Sequence, residues 1–133
     1  MTLVDTTVWI DYFAGLDSPQ TALIDLLIER REDLCVCGVV MTEVLQGIRS
    51  DREHARTQKI FEDLLYQPME RETFLLAARI TRTLRAHGIT IRNTIGCMIA
   101  AVCIESGARL LHNDRDFDRI ASQFPLMIAG KAD

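Results

Sequence analysis

Short apolar runs alternate along this chain with longer segments in which apolar residues recur every three or four positions, and that alternation sets the fold class. Thr2 to Val4 reads as a buried strand ending at Asp5, Leu34 to Val36 as a second, Leu110-Leu111 as a third and Leu126 to Ile128 as a last. Thr7 to Phe13 fits a short helix closed by Gly15 and the Asp17-Ser18-Pro19 breaker. Ser18, with Pro19 at the first helical position, opens a helix carrying Leu23, Leu26, Leu27 and Arg30. Gly38 leads into a helix over Val39 to Ile48. Asp51 caps a polar helix carrying Ile60, Phe61, Leu64 and Leu65, and Tyr66 to Met69 reads as a connection. Glu72 to His87 is an amphipathic helix with Leu75, Leu76, Ile80 and Leu84 inward, stopped by Gly88. Asn93 caps the next helix, which runs to about Ser106 and ends at Gly107, and Phe117 to Gln123 is the last. Such alternation predicts an α/β fold, a parallel sheet with helices on both faces.

With 133 residues and no repeat, linker or low-complexity tract, residues 1–133 are expected to form one domain. Apolar runs such as Ile99 to Ile104 are far below a membrane span, and the N-terminus lacks the basic and apolar regions of an export signal. A cytoplasmic protein without a membrane partner is expected. Cys35 and Cys37 share one face of a strand, while Cys97 and Cys103 point in different directions on a helix. None has a histidine or cysteine partner at zinc-site spacing, so all four read as buried free thiols. The net charge of −4 excludes a globally basic nucleic-acid binder and leaves room for an acidic pocket with a local basic rim.

Acidic residues fall where an open parallel sheet binds its ligands, outside the carboxyl ends of the strands. Asp5 follows the first strand, and Asp114 and Asp116 follow Leu110-Leu111 after His112-Asn113. Each of these has a plain alternative as a helix N-cap. Glu43 is harder to set aside, because it interrupts the apolar run Val39-Val40-Met41-Thr42-Glu43-Val44-Leu45 with no Lys or Arg one turn away. A carboxylate in such surroundings needs a partner, a proton or a metal. Clustered carboxylates call for a hard divalent cation, Mg²⁺ or Mn²⁺.

These segments carry a family resemblance. Leu3-Val4-Asp5-Thr6-Thr7-Val8-Trp9, the Thr42-Glu43 helix, Ile91-Arg92-Asn93-Thr94-Ile95 through Ile99-Ala100-Ala101, and Asn113-Asp114-Arg115-Asp116-Phe117 resemble, in order, a PIN-domain ribonuclease of the VapC toxin type. The resemblance spans roughly residues 2 to 128. It implies a three-layer PIN-like fold with a parallel sheet of about five strands. It also implies a Mg²⁺- or Mn²⁺-dependent endoribonuclease that cuts transfer or ribosomal RNA, forms a homodimer and is held by a VapB-like antitoxin. On that reading Asp5 and Glu43 position the metal, Asp114 and Asp116 hold a second metal or orient water, and Thr6 helps order the pocket. Val8, Trp9, Tyr12 and Phe13 would supply an assembly surface, although Trp9 and Phe13, four apart on the first helix, also read as core.

One position departs from the family. Where the pattern carries Asp, this chain reads Ile95-Gly96-Cys97. Residue 96 is the third position of a helix capped by Asn93, where an acid is favourable and a glycine costs up to about 1 kcal/mol. An acquired inactivating change, a naturally inactive relative, and a shifted site using Asp116 or Asp118 all fit. The rival function is a catalytically inactive PIN-like module that binds an antitoxin. A phosphotransfer receiver domain would need a strand-end lysine, and Lys59 and Lys131 are not so placed. Arg79, Arg82 and Arg85 form either an RNA-contacting or a solvated helix face, and His112 reads as structural rather than catalytic.

Overall fold

The first strand, β1 (Thr2–Val4), pairs in parallel with a neighbour on each side, and the molecule is arranged around it. In the computed structural model, which describes residues 1–131, β1 is followed by α1 (Thr6–Phe13), α2 (Pro19–Glu29), β2 (Leu34–Cys37), α3 (Gly38–Gln46), α4 (Asp51–Asp63) and β3 (Leu65–Gln67). Then come α5 (Arg71–Ala86), α6 (Thr94–Ser106), β4 (Arg109–Leu111) and α7 (Arg115–Ala121). The sheet runs β3-β2-β1-β4, all parallel, with Leu3 opposite both Cys35 and Leu110. Every residue of β1 and β2 is buried, as required of strands covered by helices on both faces.

Among the described residues the sheet has four strands rather than about five. Beyond β4, Leu126 to Ile128 contributes only an isolated parallel bridge, Leu110 to Ile128. The extra strand on the other side, β3, takes Leu65 from the end of the expected helix and Tyr66 and Gln67 from the expected connection. Its residues are largely exposed, Leu65 at 47% and Tyr66 at 57%, so it lacks the apolar signature of the inner strands.

The helix signals hold with local corrections. Ser18 and Thr21 form a reciprocal capping box at α2, and Asn93 Oδ1 accepts from the Ile95 amide at the start of α6. The cap of α4 is Ser50, one residue before Asp51. Gly107 ends α6 in the left-handed conformation at φ 76°, its amide reaching the Cys103 carbonyl. On α5 the inward stripe is Thr73, Ala77, Ile80 and Leu84, while Leu75 is 62% exposed. The stripe is therefore shifted by part of a turn from the expected one.

Trp9 and Val8 are core residues, not an assembly surface. Trp9 stacks on Phe13 with ring centroids 5.4 Å apart and meets Phe61 edge-on at 5.6 Å. Tyr12 is half-buried and its hydroxyl donates to Asp25 at 2.7 Å. All four cysteines are buried and free. Burial pushes their thiols up, Cys35 to about 11, which keeps them protonated and unreactive. The shifted stripe of α5 gives a direct test. Ile80→Ala should cost about 2–5 kcal/mol, whereas Leu75→Ala should stay within about 0.5 kcal/mol, both read from urea unfolding midpoints.

Candidate active site

Strand order reverses at β1: the chain winds from β1 to β2 to β3, then returns to place β4 on the other side. Crevices form at such a switch point, outside the carboxyl ends of the strands. Asp5 leaves β1 there and its amide donates to the Leu111 carbonyl at 2.9 Å, which ties it to the exit of β4. Asp5, Glu43, Asp114 and Asp116 all line one cleft of about 100 Å³ at this point, with Thr6, Thr7, Asn93, Gly96 and Phe117. All four acids singled out from the sequence are thus brought together.

Asp5 occupies the N-cap position of α1, yet its side chain makes no capping hydrogen bond and is turned to the cleft instead. It is 6% exposed. Burial pushes its carboxyl up to about 6, helped by the nearby Glu43 and Asp114 charges and opposed by the Thr6 amide and Thr7 hydroxyl. The Thr7 hydroxyl lies 3.2 Å from Asp5 Oδ2 and 2.7 Å from Asn113 Oδ1. With one proton to give, it favours the nearer acceptor, and Asn113 is anchored in turn by donating to Asp11 at 3.3 Å. Thr7 and Asn113 were missed from the sequence. Their partnership spans 106 residues and has no local signature.

Glu43 projects from α3 and is half-buried. Its partner is neither a cation nor a base but the Thr6 hydroxyl, which donates to Oε1 at 2.7 Å and pins α1 to α3. Thr6, expected to help order the pocket, thus contacts one of its acids directly. Asp114 does cap α7, its Oδ1 accepting from the Asp116 amide at 2.9 Å, so capping and cleft-lining coexist in one residue. Asp116 Oδ1 accepts from Arg119 at 3.1 Å. Asp118 lines no part of this cleft. It pairs with Lys131 at 2.7 Å, so it cannot stand in for an acid at position 96.

Gly96 forms part of the wall. A Cβ built on it would meet only the Phe117 ring, at 3.7 Å, an ordinary contact. Packing therefore does not require glycine here. His112 stands apart as expected: its Nδ1 accepts from the Asp114 amide at 3.0 Å, and burial lowers its basicity. Arg79, Arg82 and Arg85 are exposed, and none of them lines the acidic cleft.

The donor set is chemically suited to a hard cation: four carboxylates and two hydroxyls, with no thiol or imidazole in the lining. The second oxygens of Glu43, Asp114 and Asp116 accept no hydrogen bond among the described residues. The cage is not closed, however. Among the described residues no three His, Cys, Asp or Glu side chains stand close enough to hold one ion together.

A profile of the PIN domain matches residues 2–123. Over 123 residues the chain is 34% identical to Ribonuclease VapC11 of Mycobacterium tuberculosis, covering 91% of this chain and 92% of the relative. Among solved structures, VapBC2 from Rickettsia felis, bound to a fragment of its promoter DNA, superposes with a TM-score of 0.73 at 17% identity, covering 96% of each chain. A toxin–antitoxin complex from Klebsiella pneumoniae gives 0.68 at 13% identity, covering 86% of this chain and 88% of the other. At those identities the structures establish the fold alone.

The raised carboxyl of Asp5 makes stability depend on pH. The native state binds this proton more tightly than the unfolded state, whose carboxyl titrates near 3.8. The group's contribution is therefore favourable at low pH and is lost as pH rises from about 4 through 6, by roughly 3 kcal/mol. Asp5→Asn should accordingly stabilise the protein by about 1–3 kcal/mol at pH 8 and change little at pH 4. Thermal melts of both forms at the two pH values check this, and an equal effect at both would refute the assignment.

Proposed function

The chain belongs to the PIN-domain family and to its VapC ribonucleases, and we propose that it is a metal-dependent endoribonuclease, the toxin of a toxin–antitoxin pair, impaired by Gly96. The observation that carries this reading is the convergence of Asp5, Glu43, Asp114 and Asp116 on one cleft at the sheet's switch point. Asp5 and Glu43 would hold Mg²⁺ or Mn²⁺, with Asp114 and Asp116 completing the shell or orienting water. A bound ion would supply a Lewis acid and a water acidified for attack on a phosphodiester.

The chain's own residues prepare that attack. Thr6 holds the Glu43 carboxylate in one orientation, and the Arg119 guanidinium holds Asp116 by one oxygen, leaving its other oxygen to accept from a water. Asn113 draws the Thr7 proton toward itself, so the Asp5 carboxylate keeps acceptor capacity toward the cleft. A misplacement of about 1 Å among such groups can cost about a hundredfold in rate. The missing oxygen at Gly96 is a change of that kind.

Transfer or ribosomal RNA as substrate, a VapB-like antitoxin and a second copy of this chain as partners, and residence in the cytoplasm belong to the same proposal. The antitoxin is supported by the Klebsiella relative being a toxin–antitoxin complex. No helix among the described residues is long and apolar enough to cross a membrane. The unclosed cage favours one alternative, an inactive PIN-like module that binds an antitoxin.

Gly96→Asp separates the two. Its new Cβ makes only an ordinary contact with Phe117 and sits in the first turn of α6, where a negative charge is favourable. The parent chain should cut total cellular RNA weakly or not at all. Gly96→Asp should cut it about a hundredfold faster, only with Mg²⁺ or Mn²⁺, and should gain thermal stability from either ion. Adding Asp5→Asn should abolish cleavage. An inert Gly96→Asp protein that folds and binds the ion would transfer the assignment to the binding module.

A further inference from the structure

The acidic cleft is too small for the substrate it would cut. Its volume of about 100 Å³ lies below the roughly 300–1,000 Å³ of sites that enclose an organic ligand. It has room for a phosphate and a cation but none for a nucleoside. A larger recess of about 650 Å³ adjoins it, lined by one face of α2, the β4 exit at 111–115 and the segment 128–131. Asp114 lines both, so the two spaces share a wall.

The chemistry of this recess has two parts. Leu23, Leu26 and Ile128 are half-buried and give it an apolar side. Arg115 is exposed and has no ion-pair partner among the described residues, and Lys131 is held only through its exposed pair with Asp118. Such a pair is weak and can exchange for a phosphate. His112, with a side chain 5% exposed, is also part of the lining. Because its Nδ1 accepts from Asp114, the neutral ring carries its proton on Nε2, and that buried donor has no hydrogen-bond acceptor. Asp118 Oδ1, paired with Lys131 at 2.7 Å, lies 3.4 Å away without making a hydrogen bond to it. A ligand phosphate that drew Lys131 aside would leave Asp118 free to turn to His112.

We propose that this recess seats the nucleoside next to the phosphodiester held at the acidic cleft, with the base on the Leu23–Leu26 face and a flanking phosphate on Arg115 and Lys131. The inference rests on the ribonuclease reading and extends it to how the strand is held. Phosphate contacts set the register of a nucleic acid without reading its sequence, and a leucine face offers a base apolar contact with no hydrogen bonding to its edges. The lining sets the two cations Arg115 and Lys131 beside the carboxylates of Asp114 and Asp118, and is apolar along Leu23 and Leu26, where a base would lie.

The test uses the full chain with Asp5→Asn, so that RNA is bound and not cut. A single-stranded RNA carrying 4-thiouridine is crosslinked by light, and the adducts are located by mass spectrometry. Adducts on residues 22–26 or 111–115 are expected. Ala22→Trp, at an exposed position on α2, should fill the recess and weaken binding of the same RNA about tenfold by fluorescence anisotropy. Arg115→Gln should flatten the salt dependence of binding by about one phosphate contact. In a Gly96→Asp background, Ala22→Trp should raise KM and leave kcat close to its starting value. Adducts confined elsewhere, together with parent-like RNA binding by a folded Ala22→Trp, would overturn the proposal, as would a recess occupied only by a partner peptide. If Gly96→Asp fails to cut RNA while the adducts still fall in the recess, the ribonuclease reading fails and the RNA seat stands.

Discussion

The candidate site depends on one long-range contact, the hydrogen bond from the Asp5 amide to the Leu111 carbonyl that continues the pairing of β1 with β4. Parallel pairing cannot be made locally, and here its partners are separated by most of the chain. Once the register of Leu3 opposite Leu110 and Val4 opposite Leu111 is set, Asp5 and the Asp114–Asp116 turn have to leave the sheet side by side. The Thr6–Glu43 hydrogen bond adds the third contributor by fixing α3 against α1. The cleft is a product of global topology, assembled where these two contacts meet.

That dependence explains which parts were legible in the sequence. The two inner strands, the Asn93 and Ser18 caps and the Gly107 stop carry local chemical reasons for their structure. The acids could be placed because strand ends are where a parallel sheet gathers its ligands. The exposed strand β3 could not, since an edge of three residues with little burial has neither alternation nor an apolar run. Leu75 was misread against its own spacing: at 3.6 residues per turn Leu76 keeps the i, i+4, i+8 row with Ile80 and Leu84, whereas Leu75 falls on the opposite side of the helix from Leu84, where it is exposed. Thr7 and Asn113 were illegible for the opposite reason: each is unremarkable alone, and their bond exists only after β4 has docked.

The partners given to the acids matter as much as the acids themselves. Glu43 is held by the Thr6 hydroxyl, which orients a carboxylate without cancelling its charge, Asp5 has the Thr7 hydroxyl 3.2 Å away, and of the four acids Asp116 alone is paired with an arginine among the described residues. Burial then leaves Asp5 resisting ionisation. Gly96 adds no further charge to the wall, and its place in it is not dictated by packing, since a Cβ there would make only an ordinary contact with Phe117.

Trp9 gives the aromatic cluster a further consequence. Its indole is 2% exposed, and the ring nitrogen is buried with no acceptor, an arrangement that fixes its optical environment. The chain has no other tryptophan. Its fluorescence therefore reports on a single place, the seam where α1 meets Phe13 and Phe61. Because α1 also carries Thr6 and Thr7 and begins at Asp5, anything that shifts this helix alters both the emission and the cleft. The protein thus contains a native optical probe, four residues along the chain from its most perturbed carboxylate.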